Sequence, residues 1–257
     1  MKYFLRQISG NDDKEIELVC KMLSADYDPI VSPYLIYTDK NYCSYLAYCL
    51  SGSDDFLYAA TDSDQNDDII GFALCKQRGD TIVLTNIIIK QEYRGHDIGS
   101  ALLRFVEEQA NRKLYPDVFA LDVFDHNKVV LRWYLRLGMI ITGNKYWYNL
   151  MNYYNNELLS QSIDFSSQNS IVVVKDKAGF KQVFCNNTEV GTLINDDTLI
   201  IRSKPDHNIL LEIRMHFQNS ILFFGFITTE KHSFPLIDES FHMEMPFEHL
   251  KKIGVRG

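Results

Sequence analysis

One stretch constrains this chain more than any other: IIIKQEYRGHDIGSALLRFVEE, residues 87–108. It opens as a run of β-branched isoleucines suited to a buried strand. It closes as a helix whose apolar residues Leu103, Val106, Ala110 and Leu114 recur at helical spacing. Between them stands Arg94-Gly95-His96-Asp97-Ile98-Gly99. The first amides of a helix have no partner inside it, and the macrodipole adds partial positive charge there. Gly95 and Gly99 remove side chains that would block an approaching ligand, and Arg94 adds a forked cation. Together these features suit an anion, most naturally a diphosphate. Ser100 is placed to touch a phosphate or to cap its own helix, and His96 is expected to face solvent. An ordinary strand–helix turn with a surface arginine is the plain alternative. The stretch is neither a P-loop, since no Gly-Lys-Ser/Thr follows, nor a GxGxxG dinucleotide fingerprint.

Around this junction the pattern alternates strands and helices. Residues 2–8 read as a strand and residues 14–23 as a helix capped by Asn11-Asp12-Asp13, with Ile16, Val19, Cys20 and Leu23 on one face. Residues 34–50 are rich in tyrosine and ambiguous. A strand at 56–61, a polar turn at 62–68, and a hairpin of 69–77 with 81–90 across Arg78-Gly79-Asp80 come next. Beyond the junction helix, Pro116-Asp117 is a breaker, Val118–Phe124 a strand, and 127–137 a helix stopped by Gly138. Residues 139–142 and 146–154 are expected to be two closing strands. The order is that of a mixed α/β domain over 1–154, a central sheet flanked by helices. Serine, asparagine and glutamine then concentrate at 155–169, a linker. In 170–257, short apolar runs at 171–175, 180–185, 189–194, 198–202, 209–216 and 221–228 suggest a smaller, mainly antiparallel β domain. A short terminal helix started by Pro246 closes it.

Composition narrows the partners. The chain has 257 residues, 46% hydrophobic and 23% charged, as globular proteins do. Its 26 basic and 34 acidic side chains give a net charge of −8, against the positive field that non-specific nucleic-acid binding needs. The five cysteines are odd in number and lack CxxC spacing, which suits a reduced compartment. No apolar run approaches the roughly 20 residues of a membrane span, and residues 1–13 lack a secretory core. The expectation is a soluble, cytoplasmic protein, with no nucleic-acid or membrane partner. The seven histidines show no metal-ligand spacing, and no metal is expected.

A second cluster, LDVFDHNKVVLRWYLRLGM at residues 121–139, is a strand, a turn and a helix in fixed register. With the junction it strongly resembles the GNAT superfamily of acyl-CoA-dependent N-acyltransferases. That family carries an Arg/Gln-x-x-Gly-x-Gly/Ala pyrophosphate loop after its fourth strand. A later strand is followed by Asn, by Tyr seven residues on, and then by Leu-Gly-Phe. Here Arg94, Gly95, Ile98 and Gly99 match the loop, and Asn127, Tyr134, Leu137 and Gly138 match the later pattern. The resemblance spans about residues 1–154. It departs at three places. Asp97 replaces a usual glycine and sets a negative charge beside the diphosphate unless it points away. Met139 replaces Phe. Thr85 and Asn86 occupy a region where many members carry a glutamate used as general base.

The resemblance implies transfer of an acetyl or other short acyl group from acyl-CoA, as co-substrate, to a primary amine on a small molecule or protein. Residues 94–100 would hold the diphosphate, Ile87, Ile88 and Ile89 the pantetheine arm, and amides near Ile88 or Ile89 the thioester oxygen. Asn127 would bond the pantetheine amide or the phosphate end, or simply cap its helix. Tyr134 would be the general acid for the coenzyme A sulfur, although Val130, Tyr134 and Leu137 share a face that also suits core packing. For the general base the candidates are Asp122, Glu92 and a water chain ending on Thr85 or Asn86. The β domain carries no motif. Shaping the acceptor site, pairing copies into a homodimer and binding a partner are its open roles. The alternative from another class is a non-catalytic acyl-CoA-binding or regulatory module.

Overall fold

A computed structural model of the chain describes residues 2–63, 68–112, 115–155, 171–202, 207–218 and 220–253. In chain order the elements are β1 (Tyr3–Ile8), α1 (Asp13–Asp26), α2 (Tyr42–Leu50), β2 (Asp55–Asp62), β3 (Asp68–Arg78), β4 (Thr81–Ile89), α3 (Ile98–Asn111), β5 (Val118–Phe124) and α4 (Lys128–Arg136). There follow β6 (Ile140–Asn149), α5 (Met151–Asn155), β7 (Ile171–Lys175), β8 (Lys181–Cys185), β9 (Thr188–Ile194), β10 (Thr198–Ile201), α6 (His207–Phe217), β11 (Phe223–Thr228) and β12 (Leu236–Pro246). Two compact units result. The first is Met1–Asp26, Cys43–Gly143 and Phe241–Gly257; the second is Tyr27–Tyr42 and Asn144–Ser240.

In the first unit the strand order is β1-β2-β3-β4-β5-β12-β6. β1 to β4 are antiparallel neighbours, and β4 runs parallel to β5. A parallel pair needs a crossover, and α3 supplies it. α1 begins where Asp12 accepts hydrogen bonds from the Ser9 amide at 2.7 Å and its hydroxyl at 3.0 Å. It buries Ile16, Val19, Cys20 and Leu23, as the spacing predicts. α3 and α4 cover one face of the sheet. There Ile98, Leu102, Val106, Leu131 and Tyr134 pack with Phe119, Leu121 and Val123 of β5 and with Met243 and Met245 of β12. Each large side chain buried in this way contributes about 1.5–3 kcal/mol.

The second closing strand departs from expectation. Residues 140–149 form one strand, and 151–155 turn into α5. The strand next to β5 comes from residues 241–246 near the end of the chain. Gly143-Asn144 is turn-forming by composition, but Asn144 Nδ2 donates to the Tyr146 hydroxyl at 2.7 Å and to Glu239 Oε1 at 2.6 Å, and the extended backbone continues through it.

The second unit has the order β7-β8-β9-β10-β11-β6-β12. β7 to β10 are antiparallel, β10 and β11 are parallel, and β11 is antiparallel to β6. Residues 209–216, expected as a strand, belong to α6. Its buried Leu210 and Ile213 lie three residues apart, a helical spacing, and the parallel β10–β11 pair requires a crossover. The strand order matches that of the first unit position for position, with α6 where α3 stands. The whole is a mixed α/β fold with large mixed sheets. The expected turn at 62–68 and linker at 155–169 fall mostly outside the described residues. Among the described residues no helix is long and apolar enough to cross a membrane.

Candidate active site

β4 and β5 are paired from Thr81–Val118 to Leu84–Leu121, and the register ends there. Beyond this point β4 keeps its pairing with β3 as far as Ile89. Thr85 is an extra residue in β4, because Leu74 faces Asn86 while Cys75 faces Leu84. A bulge of this kind bends its strand and re-aims its groups. The bulge and the end of pairing coincide, so β4 and β5 part at Leu84 and leave main-chain edges facing one another. Ile87 and Ile89 pack against the α3–α4 core, and Ile88 is buried. The Ile89 carbonyl accepts from Arg94 Nε at 2.9 Å.

The opening leads into the glycine turn. Gly95 has φ +81°, and a Cβ there would meet nothing within 4 Å, so its surroundings are open. Asp97 has φ +60° and caps α3 without a side-chain bond to it. Ala101 donates to the Asp97 carbonyl at 2.9 Å and starts the helical ladder, which leaves the amides of Ile98, Gly99 and Ser100 ahead of it. The Asp97 carboxylate is turned along the helix to Arg104 Nη2, 3.2 Å away. The negative charge expected beside an anion is therefore paired. Arg94 is also held, by Asp26 at 2.7 Å. His96 is exposed and folds back, its Nδ1 3.1 Å from the Arg94 carbonyl. A Cβ at Gly99 would lie 3.4 Å from the Trp133 ring, ordinary contact, so Gly99 sits under a packed indole. Ser100 and Ile98 are buried. With free helix amides, an uncrowded Gly95 and a neutralised Asp97, the turn fits a diphosphate.

Asn127 is the N-cap of α4, accepting from the Val130 amide at 3.3 Å. Seven residues on, Tyr134 is 4% exposed within the core. Burial pushes its phenol well above its ordinary value, and the nearby Cys75 thiol adds to the effect. Tyr134 and Cys75 belong to one buried cluster, and Cys75 pairs with Leu84 where the strands part. The packing expectation for Tyr134 is met, since it lies in the core with Leu131 of the same helix.

Of the candidate bases, Glu92 is exposed in a single turn at Gln91–Tyr93. Thr85 donates to the Leu74 carbonyl at 3.0 Å. Asn86 is buried, 5% exposed. Asp122 is the first β5 residue beyond the last β4 pair. Its Oδ1 lies 2.9 Å from His242 Nδ1, whose Nε2 lies 3.2 Å from Glu244 Oε1. Sequence reasoning missed His242, Glu244 and Arg104. The signal for the first two was present, since Phe241, Met243 and Met245 alternate with them at strand period. Among the described residues no group of His, Cys, Asp and Glu is arranged to hold a metal ion. A cavity of about 190 Å³, lined by Asp39, Lys40, Asn41, Lys181 and Asp196 among others, belongs to the second unit and not to the β4–β5 opening.

Residues 17–139 match the family described as Acetyltransferase (GNAT) family. No curated protein matches the sequence. Among solved structures, a tandem GNAT protein from the clavulanic acid biosynthesis pathway superposes with a TM-score of 0.67 at 11% identity, covering 96% of this chain and 99% of that one. The likeness shows that the fold extends through both units. The PaiA N-acetyltransferase of Thermoplasma acidophilum, in complex with coenzyme A, gives 0.44 at 21% identity over 55% of this chain and 91% of that one. The ribosomal-protein-S18-alanine N-acetyltransferase of Escherichia coli gives 0.46 at 12% identity over 100% and 97%. Residues 17–139 are thus similar in sequence to acetyltransferases of the GNAT family.

Proposed function

We propose that the protein transfers an acetyl or other short acyl group from acyl-CoA to a primary amine by direct attack. The observation that carries this reading is the parting of β4 and β5 at Leu84 and Leu121, continuous with the open turn at Gly95 and the free amides of α3. The amides of Ile98, Gly99 and Ser100 and the Arg94 guanidinium hold the diphosphate. Gly95, His96 and Asp97 form the turn around it. The facing edges at Ile87, Ile88 and Ile89 receive the pantetheine arm, with Asn127 at the start of α4 beside it. Backbone amides near Ile88 or Ile89 polarise the thioester carbonyl, an arrangement effective in a water-poor site. Tyr134 donates a proton to the departing sulfur, and burial favours the protonated form of its phenol. The acceptor is a primary amine of a small molecule or a protein.

Coenzyme A release with a panel of amines, for wild type and Tyr134→Phe, tests the reading. Turnover that falls about 10²–10⁴-fold in the variant supports Tyr134 as general acid. Tight acetyl-CoA binding with no turnover for any amine would instead make the protein an acyl-CoA-binding module.

A further inference from the structure

We propose that Asp122, His242 and Glu244 accept and conduct away the proton of the acceptor amine. The inference rests on the acyl-transfer reading and supplies the base that β4 lacks at Thr85 and Asn86.

Phe119, Leu121 and Val123 of β5 turn into the α3–α4 core, so strand alternation sends Asp122 to the opposite face. Phe241, Met243 and Met245 of β12 turn into that same core, which sends His242 and Glu244 to the side of Asp122. Leu121 is the last β5 residue paired with β4, so Asp122 stands where the opening begins, level with the Thr85 bulge. The imidazole is held between Asp122 at 2.9 Å and Glu244 at 3.2 Å. β6 contributes Gly143 beside it, where a Cβ would lie 3.8 Å from that of His242. The Asp122, His242 and Glu244 side chains are 42%, 33% and 41% exposed, so each reaches water.

An alkyl ammonium must lose a proton before its nitrogen can attack. Asp122 takes that proton and passes it to Nδ1 as Nε2 releases its own to Glu244, which returns it to water; the part-exposed imidazole then recovers its starting tautomer by exchange with water. The amine nitrogen then bonds to the acyl carbon and the carbon–sulfur bond breaks. The nitrogen's second proton is lost, the thiolate takes one proton, and one proton leaves in net balance. Asp122 touches the substrate and is catalytic; His242 and Glu244 are positioning residues that orient its carboxylate and connect it to water.

The test uses the full-length protein, with 1,4-diaminobutane as a strongly basic acceptor and methoxyamine as one already neutral near neutral pH. Asp122→Asn and His242→Gln are compared with wild type in kcat/KM across pH, in acetyl-CoA affinity and in thermal melting. The expected result is a loss on the order of 100-fold with diaminobutane near neutral pH in Asp122→Asn. A smaller loss is expected in His242→Gln, which keeps a hydrogen bond to Asp122 but does not conduct. Both deficits shrink as pH rises and are small for methoxyamine, with acetyl-CoA affinity unchanged. Equal losses for both amines, or none, would overturn the relay and leave the acyl-transfer reading standing. A wild type that binds acetyl-CoA and acetylates no amine of the wider panel, small-molecule or protein, overturns that reading and the relay with it.

Discussion

Asp97 and Arg104 form an ion pair at 3.2 Å, seven residues apart along the first turns of α3. It resolves a conflict in the sequence, an acidic side chain at the anion-facing end of a helix. Arg104 also donates through Nη1 to the Ile253 carbonyl at 2.6 Å, which fixes its direction. Arg104→Met should unmask the Asp97 charge and weaken acetyl-CoA binding several-fold, the scale of about 0.2–1 kcal/mol expected for a partly exposed pair. Asp97→Gly in the same background should restore affinity, since glycine accepts φ +60° freely. Titration calorimetry on both variants and the double variant measures the coupling. Affinity unaffected by Arg104→Met would show that Asp97 does not face the ligand.

Gly71 on β3 pairs with Ile89 of β4, beside the strand that borders the opening. A Cβ there would lie 2.5 Å from Ile89 Cδ1 and 3.0 Å from the Ile88 carbonyl. Gly71→Ala should push β4 aside where it borders the opening and cost about 1–3 kcal/mol by overpacking. Acetyl-CoA affinity should fall with it. Urea unfolding and binding measured on one preparation would separate this from a purely local strain, which leaves affinity intact.

Asp39 is 7% exposed in the second unit. Its carboxylate accepts from the Asn41 amide at 2.8 Å, from Asn41 Nδ2 at 2.9 Å and from the Asn195 amide at 2.9 Å. Asp39→Ala leaves these donors without their acceptor and should cost about 1–3 kcal/mol. The drop should appear in thermal unfolding, with acetyl-CoA affinity preserved if the ligand binds the first unit alone.

Burial raises the Cys75 thiol above its ordinary 9.0 and the Tyr58 and Tyr134 phenols above their ordinary 10.0. The neutral forms are thus favoured in the folded protein. Their contribution is complete below the unfolded values and is lost as pH rises above them, where the unfolded chain releases protons that the folded one keeps. Urea midpoints should hold steady, as far as these groups go, up to about pH 9 and fall beyond it. Cys75→Ala should reduce the alkaline slope while lowering stability at neutral pH. An unchanged slope would exclude Cys75 as a contributor.

Much of the first unit was legible because its signals are local. The isoleucine run, the glycine turn and the apolar stripe of α3 lie within 24 consecutive residues, 87–110. The face of α1 and the cap at Asn127 follow from spacing and residue type alone. The closing strand was not legible in the same way. Residues 241–246 have strand alternation, but nothing local states that they pair with β5 more than a hundred residues earlier. α6 was misjudged because Ile209, Leu210, Leu211 and Ile213 form a short apolar run that suits either element by composition. The parallel pairing of β10 with β11, a long-range fact, selects the helix.

By itself the sequence determined the strand-to-helix junction, its free amides and the Asn-to-Tyr register that marks the family, since each depends on neighbours in the chain. Tertiary structure alone decided where β4 and β5 part, that Asp97 is answered by Arg104, and that His242 from the far end of the chain stands against Asp122. Those relationships come from pairing and packing between segments distant in sequence, and no local preference encodes which distant strand will fill an open sheet edge.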